Sequence, residues 1–504
     1  MLASLGEILP TAASRFGDKT ALISGERPFS FAELDRLACR AARALRRLGV
    51  GPGDRVTLHA PNSWEWIVAY HAVLRLGAVI NPVNALLTET EVEFILRDCG
   101  ARVAILAAPK AAALGRLKDA GVLTAIVAIG EGAGPGAVPF EELVAGNDGG
   151  IEPAAVPSDA LSTIAYTSGT TGHPKGAMQS HGAVLMNVAM TAQMHARSPA
   201  DTVVSALPCP HVYGNVVVNG ALWFGMTLVL HAAFREAEIL ASIARHRATM
   251  FEGVPTMYMY LLNHSELART DLGSLNRCTV GGQTMPVAKM EEVQERFRCP
   301  LVELWGMTEL AGLGTTHPVY GPVKLGSIGI ALPHVQARID PVEAGAAAAP
   351  GTVGELMIRG PIVMQGYYNN AAATRDTIEP DGWLHTGDLA YADADGAIFI
   401  VDRKKDLIIS AGNNIYPAEL ERVIAAHPAV AMVAVAGRPD PLKGETPKAY
   451  VVLRQGARAE ADDIIAHCRK TLAPYKIPRA VAFVTDLPKT STGKILRRSL
   501  ATLD

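Results

Sequence analysis

Residues 166–177 read YTSGTTGHPKGA, in which glycines and hydroxyl side chains surround a single lysine, Lys175. Hydroxyls and backbone N–H groups can together bond phosphate oxygens, and the lysine supplies the opposite charge. The spacing differs from a P-loop, where GxxxxGK is followed by Ser or Thr and the lysine begins a helix. Here Pro174 precedes the lysine, Gly176 follows it, and the helix signal starts near Ser180. The stretch predicts a phosphate loop of another kind; a mobile surface turn would not require the hydroxyls.

A second candidate group is WGMTE, Trp305 to Glu309, which follows the apolar strand PLVELW. An aromatic ring, a glycine, a hydroxyl and a carboxylate within five residues could flank a base, admit a phosphate, bond an oxygen and ligate Mg²⁺. Taken alone the pentapeptide is weak evidence, because a surface glutamate at a strand end is common.

The remaining signals lie towards the C-terminus. In TGDL, Asp388 could accept the two hydroxyl donors of a ribose, and Arg403 of the later Asp402–Arg403 pair could reach the same sugar. In the tail PKTSTGKILRR, Lys494 stands between a glycine and an amphipathic run. The ordinary alternatives are a turn aspartate, a surface arginine and a solvated lysine.

The elements that must position these side chains follow from the hydrophobic pattern. Ser30 to Glu33 reads as a capping box, apolar residues then repeat at helical spacing as far as Gly49, and the strand RVTLHAP follows. The order of helix, glycine and apolar strand occurs three times in roughly the first hundred residues, which is typical of a doubly wound parallel sheet. The segment 129–158 reads as a surface excursion and 341–353 as a hairpin tip.

Length and composition narrow the function. A chain of 504 residues suggests two or three domains, and a net charge of −3 with 19% charged residues argues against a nucleic-acid binder or a polybasic membrane surface. The six cysteines show no CxxC spacing, so neither a zinc site nor a disulfide framework is indicated. We expect a cytoplasmic protein, since neither a signal peptide nor a membrane span is evident. The composition changes after Arg403, which marks a candidate second domain.

In this order, and over essentially the whole chain, the motifs resemble those of the adenylate-forming superfamily, which includes acyl-CoA synthetases, luciferases and peptide-synthetase adenylation domains. YTSGTTGHPKGA is similar to its phosphate loop, WGMTE to its aromatic-Gly-x-Thr-Glu motif, and TGDL, DRKKDLIISAGNNIYPAELE and PKTSTGK to its later signatures. The resemblance implies an ATP-dependent, Mg²⁺-requiring acyl-CoA synthetase. In such enzymes a carboxylate attacks the α-phosphorus of ATP, giving acyl-AMP and pyrophosphate, and CoA then displaces AMP.

The resemblance also implies an α/β fold. A large N-terminal domain of doubly wound sheets with a small β-barrel-like subdomain would span residues 1–402, and a small mobile α+β domain would span 403–504. The hinge would be near Lys405, and after rotation Gly412 would line the pantetheine tunnel. Family members more often have a glycine where this chain has Ala411, and we expect no consequence of that change.

The roles implied by the resemblance are assigned to numbered residues. Lys494 would bridge the substrate carboxylate and the α-phosphate, Thr308 would contact the α-phosphate, and Glu309 with Thr167 would ligate Mg²⁺. The other nucleotide-binding residues would be Ser168, Gly169, Thr170, Thr171, Lys175 and Gly306 at the phosphates, Gly281, Gly282, Gln283 and Trp305 at the adenine, and Asp388 and Arg403 at the ribose.

The acid pocket is expected to be apolar. Its implied lining is His211, Val212, Tyr213, Gly214, Met257, Tyr260, Met307, Leu310 and Leu313. Malonyl-CoA synthetases of the superfamily carry an arginine where this chain has Tyr260, and a second carboxylate buried without a partner is costly. We therefore expect a hydrophobic acid, a fatty acid of medium or greater length, with an aryl carboxylate as the alternative.

Three rival functions are weighed from the sequence. An acyl-AMP ligase serving a carrier protein would form AMP without depending on CoA. An inactive nucleotide-binding regulator should lack Lys494 or Glu309, but both are present. A luciferase-type monooxygenase shares the motifs, although Gly412 of the CoA stage argues against it. The expected partners are small molecules, with no nucleic acid and no membrane segment, and a homodimer is left open.

Overall fold

The computed structural model describes residues 2–132, 134–146, 149–167, 174–341, 349–411, 413–488 and 495–503, with the backbone alone at 498 and 501. Its strands are β1 (Thr20–Ser24), β2 (Arg27–Ser30), β3 (Arg55–His59), β4 (Val79–Val83), β5 (Val103–Ala107), β6 (Ala125–Ile129), β7 (Val138–Pro139), β8 (Leu161–Thr167), β9 (Lys175–Ser180), β10 (Thr202–Ser205), β11 (Thr227–Leu230), β12 (Met250–Gly253), β13 (Arg277–Gly281), β14 (Leu301–Met307), β15 (Gly312–Thr316), β16 (Ile330–Ala331), β17 (Gln336–Pro341), β18 (Gly354–Arg359), β19 (Gly366–Tyr367), β20 (Leu384–Ala392), β21 (Ile398–Arg403), β22 (Ile408–Ser410), β23 (Asn413–Ile415), β24 (Val430–Asp440), β25 (Gly444–Leu453) and β26 (Ala480–Phe483).

The α-helices are α1 (Ile8–Phe16), α2 (Phe31–Arg47), α3 (Trp64–Arg75), α4 (Glu89–Asp98), α5 (Ala108–Leu114), α6 (Arg116–Asp119), α7 (Phe140–Val144), α8 (His181–Met194), α9 (Val212–Trp223), α10 (Glu236–Arg245), α11 (Pro255–Asn263), α12 (Val287–Phe297), α13 (Ala371–Thr377), α14 (Pro417–Ala425) and α15 (Ala461–Arg469). Every helix in the described ranges is too short or too polar to span a lipid bilayer.

Two large, mainly parallel sheets form the body of the chain. One has the order β16-β15-β14-β13-β12-β10-β11-β1-β2 and the other β19-β9-β8-β4-β3-β5-β6-β7. Successive residues of their strands enter different hydrophobic clusters, as Val103 and Ala104 do in one sheet and Val203 and Val204 do in the other. Both faces of each sheet are therefore covered, as the repeated helix–glycine–strand pattern predicts.

The sequence signals for individual elements are confirmed with two exceptions. Ser30 begins α2 by accepting a hydrogen bond from Glu33 N at 3.1 Å, but the Glu33 carboxylate pairs with Arg27 at 2.8 Å, so only half of the expected capping box forms. The segment 129–158 is not only a surface excursion, because it contains β7 and α7, and Phe140 of α7 is fully buried in the main core.

The last part of the chain contains two smaller sheets. The order β17-β18-β20-β21 is antiparallel throughout and forms the small all-β part, and β17 and β18 flank the expected hairpin tip. The final sheet, β23-β22-β25-β24 with β26 beside β25, packs with α14 and α15. Its hydrophobic clusters begin at Ile408, whereas the main cluster, which the small all-β part shares with the larger sheets, ends at Ile400, so the chain passes from one core to another near residue 403.

Candidate active site

Trp305, Asp388 and Arg403 form one hydrogen-bonded group, although they come from three strands. Asp388 on β20 faces Arg403 on β21 across the sheet, and Arg403 Nε lies 3.1 Å from Asp388 Oδ1. Trp305 on β14 donates from Nε1 to Asp388 Oδ2 at 2.7 Å. Each carboxylate oxygen has a second lone pair. The aspartate can therefore still accept a hydroxyl while its orientation is fixed from both sides.

The glycine loop, residues 281–283 at the end of β13, requires glycine because of close packing and backbone conformation. A Cβ at Gly281 would lie 2.2 Å from Leu304 Cδ1 and 2.9 Å from the Leu304 carbonyl, which a larger residue could not tolerate. Gly282 has φ +92°, a conformation that side chains other than glycine rarely adopt. The half-buried Gln283 follows, so the loop can pass close to a flat ligand beside β14.

Glu303, which the sequence reasoning missed, lies on β14 two residues before Trp305. It is buried, and its Oε2 has no hydrogen-bond partner among the described residues. Burial raises the pKa of Glu303 to about 8, and a backbone hydrogen bond from Met285, just after the glycine loop, lowers it only in part. A charged residue inside the apolar run PLVELW was the available signal. At pH 7 the group is therefore mainly a neutral carboxylic acid, which can donate from one oxygen and accept at the other, next to the loop.

Glu309 lies near the ends of the phosphate loop. Its side chain is 7% exposed, and Tyr367 donates to its Oε1 at 2.6 Å. Lys175 Nζ stands 5.1 Å from the centre of the Tyr367 ring, and Lys175 is the cross-strand partner of Thr167. The described flanks of the loop thus come together with the carboxylate. Ser168, Gly169, Thr170 and Thr171 lie outside the described residues.

Two contacts around this acid were not foreseen. Tyr367 has a pKa raised by burial and by the neighbouring Glu309. Gln179 on β9 donates from Nε2 to the Thr308 carbonyl at 2.8 Å. A Cβ at Gly306 would lie 2.1 Å from the Gly312 carbonyl, so the turn that carries Thr308 and Glu309 is closely packed. Together these contacts orient the turn.

The residues around Glu309 fit a magnesium ion that also binds phosphates. The described chain contains no group of three or more His, Cys, Asp or Glu side chains that could hold a metal alone. Mg²⁺ commonly takes one or two carboxylates, substrate phosphates and water. Glu309 Oε2 accepts no hydrogen bond from the described side chains or backbone, and it supplies the kind of ligand this arrangement needs.

The implied acid pocket is only partly brought together. His211 caps α9, with Nδ1 accepting from Tyr213 N at 3.3 Å, and the predicted apolar lining is buried or half-buried. Two of the predicted lining residues, Tyr213 and Gly214, face the core instead of a pocket. Tyr213 bonds Thr279 Oγ1 at 2.6 Å, and a Cβ at Gly214 would lie 2.2 Å from the Pro208 carbonyl. Tyr260 is 45% exposed and packs against Phe234. The apolar residues are Val212, Met257, Met307, Leu310 and Leu313.

The region predicted to contain the hinge is a short 3₁₀ turn, Lys404–Asp406, whose Lys405 is exposed. Lys404 Nζ lies 2.8 Å from Glu355 Oε2, and Glu355 Oε1 accepts from Gly387 N at 3.1 Å, so one carboxylate supports both this turn and the residue before Asp388. Gly412 and Lys494 lie outside the described residues. Ala411 has φ +49°, so the change from glycine carries a conformational cost that we did not expect.

Comparison with known proteins agrees with this geometry. Residues 9–368 match the AMP-binding enzyme family, and residues 419–494 match the AMP-binding enzyme C-terminal domain. A long-chain-fatty-acid–CoA ligase of Bacillus subtilis (strain 168) is 36% identical, over 99% of this chain and 94% of its own length. A feruloyl-CoA synthase of Amycolatopsis sp. is also 36% identical, over 95% of this chain and 94% of its own length.

Among solved structures, ATP-bound MatB from Rhodopseudomonas palustris superposes with a TM-score of 0.92 at 31% identity, covering 99% of this chain and 98% of that one. The two large sheets, the small C-terminal sheet and the assembled motifs define an adenylate-forming enzyme. The chain belongs to the AMP-binding enzyme family. Within it, the protein is an AMP-forming acid–CoA ligase.

Proposed function

We propose that the acid substrate is a hydrophobic monocarboxylate, in first place a fatty acid of medium or greater length. The observation that carries this proposal is the apolar character of the buried residues predicted to line the pocket, from Val212 to Leu313. The position where an arginine would meet a second carboxylate holds Tyr260, which packs on Phe234. The second charge of a dicarboxylate would lack a protein partner at that position, and it would be costly against the buried apolar residues of the lining.

The nucleotide is proposed to lie across the carboxyl ends of the two large sheets. Asp388 and Arg403 would hold the ribose, while Trp305 and the glycine loop would flank the adenine. Glu303, whose Oε2 has no partner among the described residues, would accept from the amino group of the base through the carbonyl oxygen of its neutral carboxyl group. Thr308 would contact the α-phosphate, Glu309 and Thr167 would bind Mg²⁺, and residues 167–171 with Lys175 would hold the outer phosphates.

We propose a division into residues 1–402 and 403–504, with the hinge near Lys405. The separate hydrophobic clusters on either side of residue 403 support it. In this division the smaller domain delivers Lys494 for acyl-AMP formation. A later rotation would bring Gly412 to the site for transfer to CoA, with the rotation acting as a gate between the two steps.

An aryl carboxylate is the second candidate, because the feruloyl-CoA synthase is as similar in identity as the fatty-acid ligase. A panel of acids separates the two. The protein is incubated with ATP, Mg²⁺ and CoA together with octanoate, palmitate, coumarate, benzoate or malonate, and AMP is measured with and without CoA. Highest kcat/KM with octanoate or palmitate is expected. Preference for coumarate or benzoate would establish the aryl alternative, and activity confined to malonate would refute the pocket argument.

A pair of variants at one position tests the pocket directly. Tyr260→Arg introduces a cation into α11 and should lower kcat/KM for the fatty acid while admitting malonate. Tyr260→Phe, which keeps the ring, should retain the substrate profile of the unmodified protein. Unchanged profiles in both variants would remove Tyr260 from the pocket.

The role of Lys494 is tested by separating the half-reactions. Lys494→Ala should lower acyl-AMP formation by about 10²-fold or more, and should spare thioester formation from supplied acyl-AMP and CoA. Lys470→Ala removes an exposed lysine after α15 and serves as the control. Equal loss of both half-reactions would count against a lysine that acts only in the first step.

A further inference from the structure

Arg497, in the last turn of the chain, contacts three carboxylates at once. Its Nη1 donates to Asp402 Oδ1 at 3.2 Å and to Asp406 Oδ2 at 3.0 Å. Its Nε and Nη2 donate to the two oxygens of Glu421 at 3.1 and 2.7 Å. The contact with Glu421 is bidentate: two N–H groups of the guanidinium donate to the two carboxylate oxygens, a geometry that a lysine ammonium does not form. The side chain is 23% exposed, so this is not an ordinary surface ion pair.

The three carboxylates lie on both sides of the proposed boundary. Asp402 is on β21, in the small all-β part, whereas Asp406 follows the hinge position and Glu421 lies on α14. Asp402 is itself buried, and its Oδ2 accepts from Ala418 N, in the first turn of α14, at 2.7 Å. One carboxylate therefore holds both the first turn of α14 and the tail against the end of β21.

The contact between Arg497 and Asp402 is linked through hydrogen bonds to the candidate nucleotide site. Asp402 Oδ1 also accepts from the backbone N–H of Arg403 at 2.7 Å. The Arg403 side chain pairs with Asp388, which is bonded to Trp305. A chain of direct contacts thus runs from the tail to the residues proposed to hold ribose and adenine. A change at Arg497 would act on the strand end that carries Arg403.

The covalent distance to Lys494 is short. Two residues lie between Lys494 and Arg497, and the three residue steps that join them span at most roughly 10 Å of extended chain. Fixing Arg497 on Asp402 therefore limits where the lysine can reach. Without that anchor, the tail would have to lose more conformational freedom each time the lysine enters the site.

We propose that Arg497 is a positioning residue for acyl-AMP formation, which joins the C-terminal tail to the strand end carrying Arg403 and so sets the reach of Lys494. The proposal rests on the proposed role of Lys494. The proposed effect is on the first half-reaction alone. The contact between Arg497 and Asp402 crosses the boundary at which the smaller domain is proposed to rotate before transfer to CoA, so that rotation would break it.

The test compares Arg497→Gln and Arg497→Lys with Arg458→Gln, which removes a charge from an exposed loop of the same domain. ATP–pyrophosphate exchange measures the first half-reaction, and thioester formation from supplied acyl-AMP and CoA measures the second. Arg497→Gln should lower kcat of the first by about tenfold or more, with a smaller change in KM for ATP, as expected for losing charged hydrogen bonds. The second should stay within about twofold. Arg497→Lys should be intermediate, and Arg458→Gln should match the unmodified protein.

Equal loss in both half-reactions, or a loss matched by the fraction of unfolded protein in a thermal denaturation, would reduce Arg497 to a structural residue and overturn the proposal. If Arg497→Gln does not fold, Asp406→Asn removes one partner of the same guanidinium and should show the same selective effect in weaker form. Lys494→Ala is assayed alongside. Unchanged acyl-AMP formation in Lys494→Ala refutes the role of the lysine, whereas an inactive Lys494→Ala beside a fully active Arg497→Gln refutes only the positioning role.

Discussion

Two arginine–carboxylate clusters in this molecule have similar chemistry and different surroundings. Arg197 meets Glu252 at 2.7 Å inside the larger domain, where their side chains are 1% and 0% exposed. Glu252 also accepts from Thr279, which is bonded to Tyr213 of α9. Arg497 meets Asp402, Asp406 and Glu421 at the boundary between the two cores and keeps contact with solvent.

The difference indicates what each cluster can do. A buried ion pair has no water to replace a lost partner, so removing one member leaves a charge uncompensated in the core. At the second cluster, water can reach Arg497, and the buried Asp402 keeps two other partners, the backbone N–H groups of Arg403 and Ala418, so loss of the arginine should cost less. The first cluster should therefore act on stability, and the second on the geometry of one reaction step.

The largest effect is expected at the buried pair. Arg197→Met should lower the free energy of unfolding by about 3–5 kcal/mol, because Glu252 loses its counter-charge in the core. Urea denaturation followed by circular dichroism measures the change. Arg497→Gln, measured in the same way, should shift the midpoint much less.

The double variant Arg197→Met with Glu252→Leu provides the control. Removing both charges should recover part of the loss, since apolar residues of similar volume often replace a buried pair without net cost. A destabilisation of Arg197→Met no larger than that of Arg497→Gln would erase the distinction between the clusters.

The parallel strand and helix arrangement of the large sheets was predictable from local periodicity, because helix, glycine and apolar strand repeat in the sequence. The signals for two candidate site residues were also local, since Thr167 ends β8 and Glu309 follows β14. Asp388 instead lies within β20, and its contact with Trp305 of β14 joins two different sheets. Domain size and composition predicted the change near residue 403.

The contacts that complete the site could not be predicted in the same way. Tyr367 and Arg497 bond residues distant in sequence, and nothing in their immediate neighbours identifies those partners. Tyr213 was assigned to the pocket from its motif, but the direction of its side chain depends on Thr279 beneath α9. Such pairings are decided by tertiary packing, for which a single sequence has no local signal.

The second prediction uses pH to weaken the cluster of Arg497, Asp402, Asp406 and Glu421. Burial raises the pKa of Asp402 from 3.8 to about 6, with Glu421 adding to the rise and Arg497 opposing it. The carboxylate is therefore charged at pH 7 and takes up a proton as the pH falls through about 6. Acyl-AMP formation should then decline, approaching about tenfold per pH unit below that value. Pyrophosphate exchange across pH 5–8 measures it.

Arg497→Gln is the control for this loss of activity at acidic pH, because without the guanidinium the charge on Asp402 no longer anchors the tail. Its profile should lack the decline near pH 6. The effect of Asp402 on stability has the opposite sign: since its pKa is raised in the folded state, its contribution to stability falls as the pH rises towards 6. Identical pH profiles in the variant and the unmodified protein would place the titrating group elsewhere.

The smallest expected effect concerns the backbone of the smaller domain. Ala411 lies between β22 and β23 with φ +49°, where a side chain is disfavoured by about 1–2 kcal/mol and glycine loses roughly 0.5–1 kcal/mol of chain entropy. Ala411→Gly should therefore raise the free energy of unfolding by up to about 1 kcal/mol. Ala466→Gly, in the exposed interior of α15, should lower it by about 1 kcal/mol. Urea denaturation of both variants, monitored through the unfolding of the smaller domain, tests whether their free energies of unfolding change in opposite directions. Equal destabilisation would mean that the turn does not hold the left-handed conformation in solution.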